Sequence, residues 1–365
     1  MQVNKPTLHV LFEGITMSTS ISFILPLYNG KKYIERAINS VLNQTVTPDE
    51  LIIINDGSTD DSLEFVYKWF NPDKEAVPKF TNCEEPTLIA SCKVTGCNVF
   101  LYTQTNQGVA AARNHGICLA KSEYLAFIDQ DDYVELNFCK KFLSEVTDTT
   151  KPDMIIGGFK RRNEEGKKTR DMKPTNTRWS KYMFTYPWGR IIKKDFLLTN
   201  NIRFLKTGIG EDVYFDLVAY SYTDRIKMVR NSSYVWFDNS ASVSNTQYTK
   251  INKLVDPIFT FDRILRDANK TDETTKLYME YYFVKFTVWF LLVNARKSKI
   301  SDLLGVRNNM FDWLFMRCPN YKKNPLLSLR KPSGEKLSTR FIVWTYVQLS
   351  HVNLDKLLLR IINIF

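Results

Sequence analysis

Acidic residues stand where the apolar runs of this chain break off, at spacings that let them share one ligand. Asp56 follows the run at 51–54 with only Asn55 between. Asp129 and Asp131 follow the run at 124–128, one residue apart, with Asp132 directly behind. A third acidic group, Glu211 and Asp212, comes later, and the cation Arg113 lies between the first two groups. Carboxylates gathered without a counter-ion repel one another and take up protons. A divalent cation relieves that, and a DxD spacing on an extended segment lets both acids address one ion or its waters. Hard oxygen ligands suit Mn²⁺ or Mg²⁺, usually with phosphate oxygens completing the shell. The ligand this chemistry asks for is a metal-bound diphosphate.

Residues so far apart meet only if the fold gathers them. From residue 21 the chain alternates short apolar runs with stretches of helical period. Runs at 21–25, 51–54, 99–102, 124–128 and 154–156 read as strands. Segments 31–44, 61–70, 108–120 and 135–146 read as helices. The expected class is α/β: a Rossmann-like, mostly parallel sheet with helices on both faces. Right-handed crossovers then put every strand's carboxyl end on one edge, where a crevice binds ligand. Asp56, Asp129 and Asp131 become neighbours there. Residues 71–98, with Pro72, Pro78 and Pro86, read as an irregular insertion decorating the surface away from the crevice.

Each feature also has a plainer reading. Asp56-Gly57-Ser58 is an ordinary turn and helix cap. Glu211 and Asp212 are acids favoured in the first turn of a helix at 213–220. Arg113 is a solvated helix residue, Trp188 a core aromatic. The position of the acids after continuous apolar strands, and the agreement of several blocks in order, favour the site.

Those blocks resemble a known family. Pro26-Leu27-Tyr28-Asn29, Asn55-Asp56-Gly57-Ser58-Thr59-Asp60, Gly108-Val109-Ala110-Ala111-Ala112-Arg113-Asn114, Asp129-Gln130-Asp131-Asp132, Pro187-Trp188-Gly189-Arg190 and Gly210-Glu211-Asp212 stand in the order found in family 2 glycosyltransferases of the GT-A fold. The resemblance covers about residues 21–243. It implies an inverting transfer of a hexosyl or N-acetylhexosaminyl group from a nucleotide-sugar, UDP-linked, to a saccharide or lipid-linked saccharide acceptor in bacterial surface-polysaccharide synthesis. By the same resemblance, Pro26, Tyr28, Asn29 and Asp56 line the nucleotide pocket and Arg113 sits by the nucleotide. Asp129 faces ribose and metal, Asp131 binds the metal, and Asp212 is the general base. Trp188 and Glu211 are then substrate contacts, Trp188 offering an apolar face to a sugar ring. Relatives often carry Arg or His after the late tyrosine block. Here Tyr234-Val235-Trp236-Phe237-Asp238-Asn239 has neither, so Asp238 or Asn239 stands in that place.

Two other classes use similar parts. A sugar-phosphate nucleotidyltransferase also sets carboxylates and a metal at strand ends, but no glycine-rich, lysine-bearing loop follows the first strand. A catalytically silent nucleotide-sugar-binding module would not need both Asp131 and Asp212.

The organisation expected over 365 residues is a leader at 1–19, a GT-A domain at 20–245 and a mainly helical, basic extension at 246–365, with its clearest helix at 278–295. The net charge of +11 is concentrated late: from Tyr281 onward there are fourteen Lys and Arg against four Asp and Glu. No nucleic-acid motif accompanies that charge, and no nucleic-acid partner is expected. The six cysteines form no CxxC pair, and three histidines leave a structural zinc site without ligands, so buried thiols in a reducing compartment are expected. No apolar run reaches the roughly 18 residues of a membrane span. Leu354, Leu357, Leu358, Ile361, Ile362 and Phe365 share one helical face beside Lys356 and Arg360. The expected location is cytoplasmic, with peripheral contact to the inner face of the cell membrane through 354–365.

Overall fold

The computed structural model describes residues 19–70, 85–147, 149–207, 210–239, 250–251, 255–269 and 272–364. Residues 1–18 of the leader, the first part of the insertion and Phe365 lie outside them.

The centre of the molecule is built from strands buried along their whole length. β1 (Ile21–Leu27) and β2 (Glu50–Asp56) have every residue buried. Alternate side chains of a strand point to opposite faces, so both faces of the sheet are covered, as continuous apolar runs require. Helices α1 (Ile34–Leu42) and α2 (Ser62–Phe70) follow these strands. β4 (Cys97–Gln104) pairs parallel with β2, and β5 (Tyr124–Phe127) parallel with β1. Between those two strands in sequence, the alanine-rich α3 (Val109–Leu119) packs on β1 and β2. The approach is close: a Cβ at Gly116 would stand 2.3 Å from Cγ2 of Ile24.

The sheet is mixed beyond this parallel core. Its eight strands run β11-β7-β10-β5-β1-β2-β4-β3. β7 (Met154–Ile156) and β11 (Ile226–Met228) pair parallel, but β10 (Arg190–Lys193) runs antiparallel between β5 and β7. The opposite edge corrects one expectation. Residues 87–94 of the supposed irregular insertion form β3 (Thr87–Val94), antiparallel to β4. Thr95 (φ 49°) and Gly96 (φ 96°) make the tight turn between them, both left-handed as a two-residue hairpin favours. An edge strand covered on one side leaves no continuous apolar run to read.

A second sheet of four strands runs β6-β12-β8-β9. β6 (Tyr133–Val134) leaves the DxD segment directly and pairs with β12 (Tyr234–Phe237). β8 (Phe159–Arg162) and β9 (Lys168–Met172) complete it. Short helices α4 (Phe138–Leu143) and α5 (Lys194–Thr199) connect the strands, and α6 (Glu211–Tyr222) carries the late acidic pair in its first turn.

After residue 256 the described chain is helical: α7 (Pro257–Asp267), α8 (Glu273–Trp289) continuing into a π-turn at Phe290–Asn294, α9 (Ile300–Arg317), α10 (Leu337–His351) and α11 (Leu354–Ile364). Asp256 and Asp272 cap the first two through side-chain bonds to amides of the first turn. α7 and α8 pack on α6, and the Tyr214 hydroxyl donates to Asp267 Oδ2 at 2.7 Å. The extension therefore buttresses the helix that carries Glu211 and Asp212. No helix among the described residues is long and apolar enough to cross a membrane.

Candidate active site

The carboxyl ends of β1, β2 and β5 open into a cleft of about 760 Å³. It is lined by Pro26, Tyr28, Asn29, Asp56, Arg113, Asp129 and Asp131 among others, so seven of the ten residues singled out from sequence come together. The loops that form it are tied to one another by side chains rather than by further sheet. Asn29, left-handed at φ 50°, accepts from the amides of Thr59 and Asp60 through Oδ1 and so joins the β1 exit to the β2 exit. Gln130, the middle residue of the DxD, accepts from the Tyr28 amide (2.8 Å) and donates to the Tyr28 carbonyl (2.9 Å), joining the β1 exit to the β5 exit. Gly57 turns at φ 66°, and a Cβ there would lie 2.7 Å from the backbone nitrogen of Asn106, so no side chain fits that corner.

Asp56 lines the floor yet is only 2% exposed. Oδ1 accepts from Gln104 Nε2 (2.8 Å) and the Gln107 amide (2.9 Å), and Oδ2 from the Gly108 amide (2.8 Å). It holds the loop that leads into α3. Each carboxylate oxygen can accept more than one bond, so a ligand can still be met from the cleft side.

Arg113 is the hub. Its side chain is almost wholly buried. Nη2 donates to Asp129 Oδ1 at 2.8 Å, Nη1 donates to Asp212 Oδ1 at 2.7 Å, and Glu211 Oε1 stands 3.7 Å from Nη1. One guanidinium thus bridges the DxD segment to the first turn of α6. Asp212 lies behind that bridge rather than in the lining of the cleft, with about 30% of its side chain exposed. Burial pushes its carboxyl well above the usual carboxylate range, Glu211 and Asp129 push the same way, and Arg113 pulls it down. Among the described residues Oδ2 of Asp212 makes no hydrogen bond. Glu211, the first residue of α6, accepts from the amide of the preceding Gly210 (3.1 Å).

Asp131 accepts from Asn239 Nδ2 at 2.7 Å, and its backbone carbonyl accepts from Arg36 Nη2 at 2.6 Å. Burial, with Asp129 as a like-charged neighbour, raises its carboxyl to about 6. Asp238, by contrast, pairs with Arg161. No cluster of three or more acidic, His or Cys side chains able to hold a metal occurs among the described residues. What is present is a two-carboxylate oxygen set, Asp131 and Asp129, with the proton affinity of Asp131 raised in the way a cation would relieve. That fits a hard divalent ion which draws most of its shell from water and diphosphate.

One candidate residue behaves differently from expectation. Trp188 does not offer a face to a sugar: its ring is stacked against Tyr186 (4.4 Å) and Tyr234 (4.5 Å), and the residue is 8% exposed. An aromatic at a strand end looks the same in sequence whether it faces a ligand or a core, and here neighbouring rings cover it. Asp132 is a buried strut rather than a ligand, accepting from the Tyr234 hydroxyl (2.6 Å) and the Phe237 amide (2.8 Å). The Tyr234 hydroxyl also accepts from the Asp129 amide (3.2 Å). Tyr234 therefore fixes the DxD segment from the second sheet. Sequence reasoning missed Tyr234, Gln130 and Arg36, because their partners lie about a hundred residues away.

Comparison with known proteins adds to this geometry. The profile described as "Glycosyl transferase family 2" matches residues 22–209. The chain is 26% identical over 248 residues to the glycosyltransferase EpsJ of Bacillus subtilis, a match spanning 62% of this chain and 64% of EpsJ. It is 28% identical over 291 residues to the minor teichoic acid biosynthesis protein GgaB of the same organism, spanning 74% of this chain and 29% of GgaB. Both matches cover less than two thirds of the relative. The crystal structure of S. aureus TarS 1–349 in complex with UDP-GlcNAc superposes with a TM-score of 0.65 at 20% identity, over 92% of each chain. That likeness shows a shared fold, GT-A with a helical C-terminal region.

Proposed function

The chain belongs to glycosyl transferase family 2 and is a glycosyltransferase, and from that premise we propose that it transfers a sugar, with inversion, from a UDP-linked donor to a saccharide or lipid-linked saccharide acceptor in bacterial surface-polysaccharide synthesis. The observation that carries the reading is the Arg113 bridge, which ties Asp129 of the DxD, in the cleft, to Asp212 directly behind it.

In this reading the nucleoside lies between Pro26, Tyr28 and Asn29, over Asp56. Asp131, with Asp129, would hold Mn²⁺ or Mg²⁺, which supplies positive charge to the leaving diphosphate. Asp212 takes the proton of the acceptor hydroxyl through Oδ2. The acceptor oxygen attacks the anomeric carbon from the side opposite the diphosphate. A carbon–oxygen bond forms as the anomeric carbon–phosphate oxygen bond breaks, and its electron pair leaves with UDP. Arg113 keeps the Asp212 carboxylate aimed at the acceptor and offsets part of its burial cost. The similarity to GgaB, a minor teichoic acid biosynthesis protein, supports the surface-polymer setting.

The test is UDP release from UDP-Glc, UDP-Gal, UDP-GlcNAc and UDP-GalNAc, each with Mn²⁺ and with a chelator. Metal-dependent release from one donor supports the reading and names the sugar. Pyrophosphate release instead of UDP, or silence with every donor, would overturn it.

A further inference from the structure

The last two helices carry apolar surface that packing has not used, beside four basic residues. On α10, Leu337, Phe341 and Ile342 are exposed, and on α11 so are Leu354, Leu357 and Ile361, at 47–62% each. The helices cannot turn these residues inward. α11 is pinned by its other face: Asp355 is wholly buried and accepts from Arg307 Nε (2.6 Å) and Nη2 (3.0 Å), and Leu359 is buried beside it. α10 is likewise held by Val343, Tyr346 and Val347.

The charge follows a pattern. Lys336, Arg340, Lys356 and Arg360 each immediately precede an exposed apolar residue, at 337, 341, 357 and 361. Positions four apart stack along a helix, so each helix presents an apolar row flanked by a basic one. From 337 to 364 the one acid is Asp355, and it is buried in its ion pair. The acid just before α10, Glu335, is also buried and paired with Lys285. Neither acid within residues 335–364 faces out.

We propose that the α10–α11 face docks on an anionic lipid surface, its apolar rows in the headgroup–acyl boundary and its bases among the phosphates. Long basic stems beside a lipid-facing row can reach headgroups while the row inserts. A nucleic acid would use the bases and leave the Leu, Ile and Phe rows in water. A second copy would set base against base. Relative to the sequence expectation, the docking face gains α10 and loses the part of the 354–365 stripe that packs on the protein.

The full chain would be sedimented, without donor, with vesicles of phosphatidylcholine alone and of an equimolar phosphatidylcholine–phosphatidylglycerol mixture. Binding to the second and not the first, released by salt, is expected. Each base near the surface is worth roughly fivefold in partition, so Lys356→Gln with Arg360→Gln lowers it roughly thirtyfold. Phe341→Ser with Leu357→Ser lowers it at least roughly tenfold. Both double variants should keep the parent's melting temperature and UDP release. No binding to either vesicle, equal binding by parent and variants, or self-association without lipid that the variants abolish would each overturn the proposal.

Discussion

Arg113 neutralises acids that would otherwise repel one another around it, and the consequences are measurable one residue at a time. Asp212→Asn keeps the hydrogen bond to Arg113 but removes the base, so kcat falls by roughly 10²–10⁴ while donor affinity changes little. The pH dependence has a definite sign. The base works ionised, and burial raises its proton affinity, so kcat/KM is lost as pH falls, with a midpoint above the ordinary carboxylate range. Arg113 pulls the Asp212 pKa down, so Arg113→Ala moves that acid limb to higher pH. A limb that stays in place would remove Arg113 from the account of the base. The residue types of the site were readable in sequence because they stand in contiguous blocks: 26–29, 55–60, 113 and 129–132. What each acid is bonded to was not. Asp56 reads as a free ligand group, yet Gln104, Gln107 and Gly108 already hold both of its oxygens.

At the scale of elements, continuous burial made β1, β2 and β5 legible, and helical period made α1 to α3 legible. β3 was not, since its apolar residues alternate with exposed ones at the sheet edge. Nor was the second sheet, whose strands are short and whose role is to press Tyr234 against the DxD segment. That role predicts a loss. Tyr234→Phe leaves Oδ2 of the buried Asp132 and the Asp129 amide without a partner, which costs about 1–3 kcal/mol of stability. Donor affinity should fall with it, since the DxD segment loosens. Thermal unfolding and donor titration on the same variant check both. The close passage of α3 over β1 gives a second test. Gly116→Ala puts a Cβ into Ile24 and should cost about 1–3 kcal/mol by overpacking, read as a lower melting temperature.

Over the whole molecule, the helical extension does two things: it supports α6 from behind and it presents α10 and α11 outward. The second depends on the buried Arg307–Asp355 pair, which joins α9 to α11. Asp355→Ala strands a buried guanidinium and should cost about 3–5 kcal/mol. If unfolding of that variant matches the parent, α11 is not integral to the fold. The late basic charge was plain in sequence, but which face of α11 stays outside was not, because an apolar stripe looks alike whether it meets protein or lipid. Binding of a nucleoside diphosphate in one cleft, through a cation held by the DxD, underlies the proposed function. It is tested most directly by calorimetric titration of UDP into the parent and Asp131→Asn, with Mn²⁺ and with chelator. The parent is expected to bind with Mn²⁺, and binding to be strongly weakened with chelator or in Asp131→Asn. Equal UDP affinity in all four arms would contradict it.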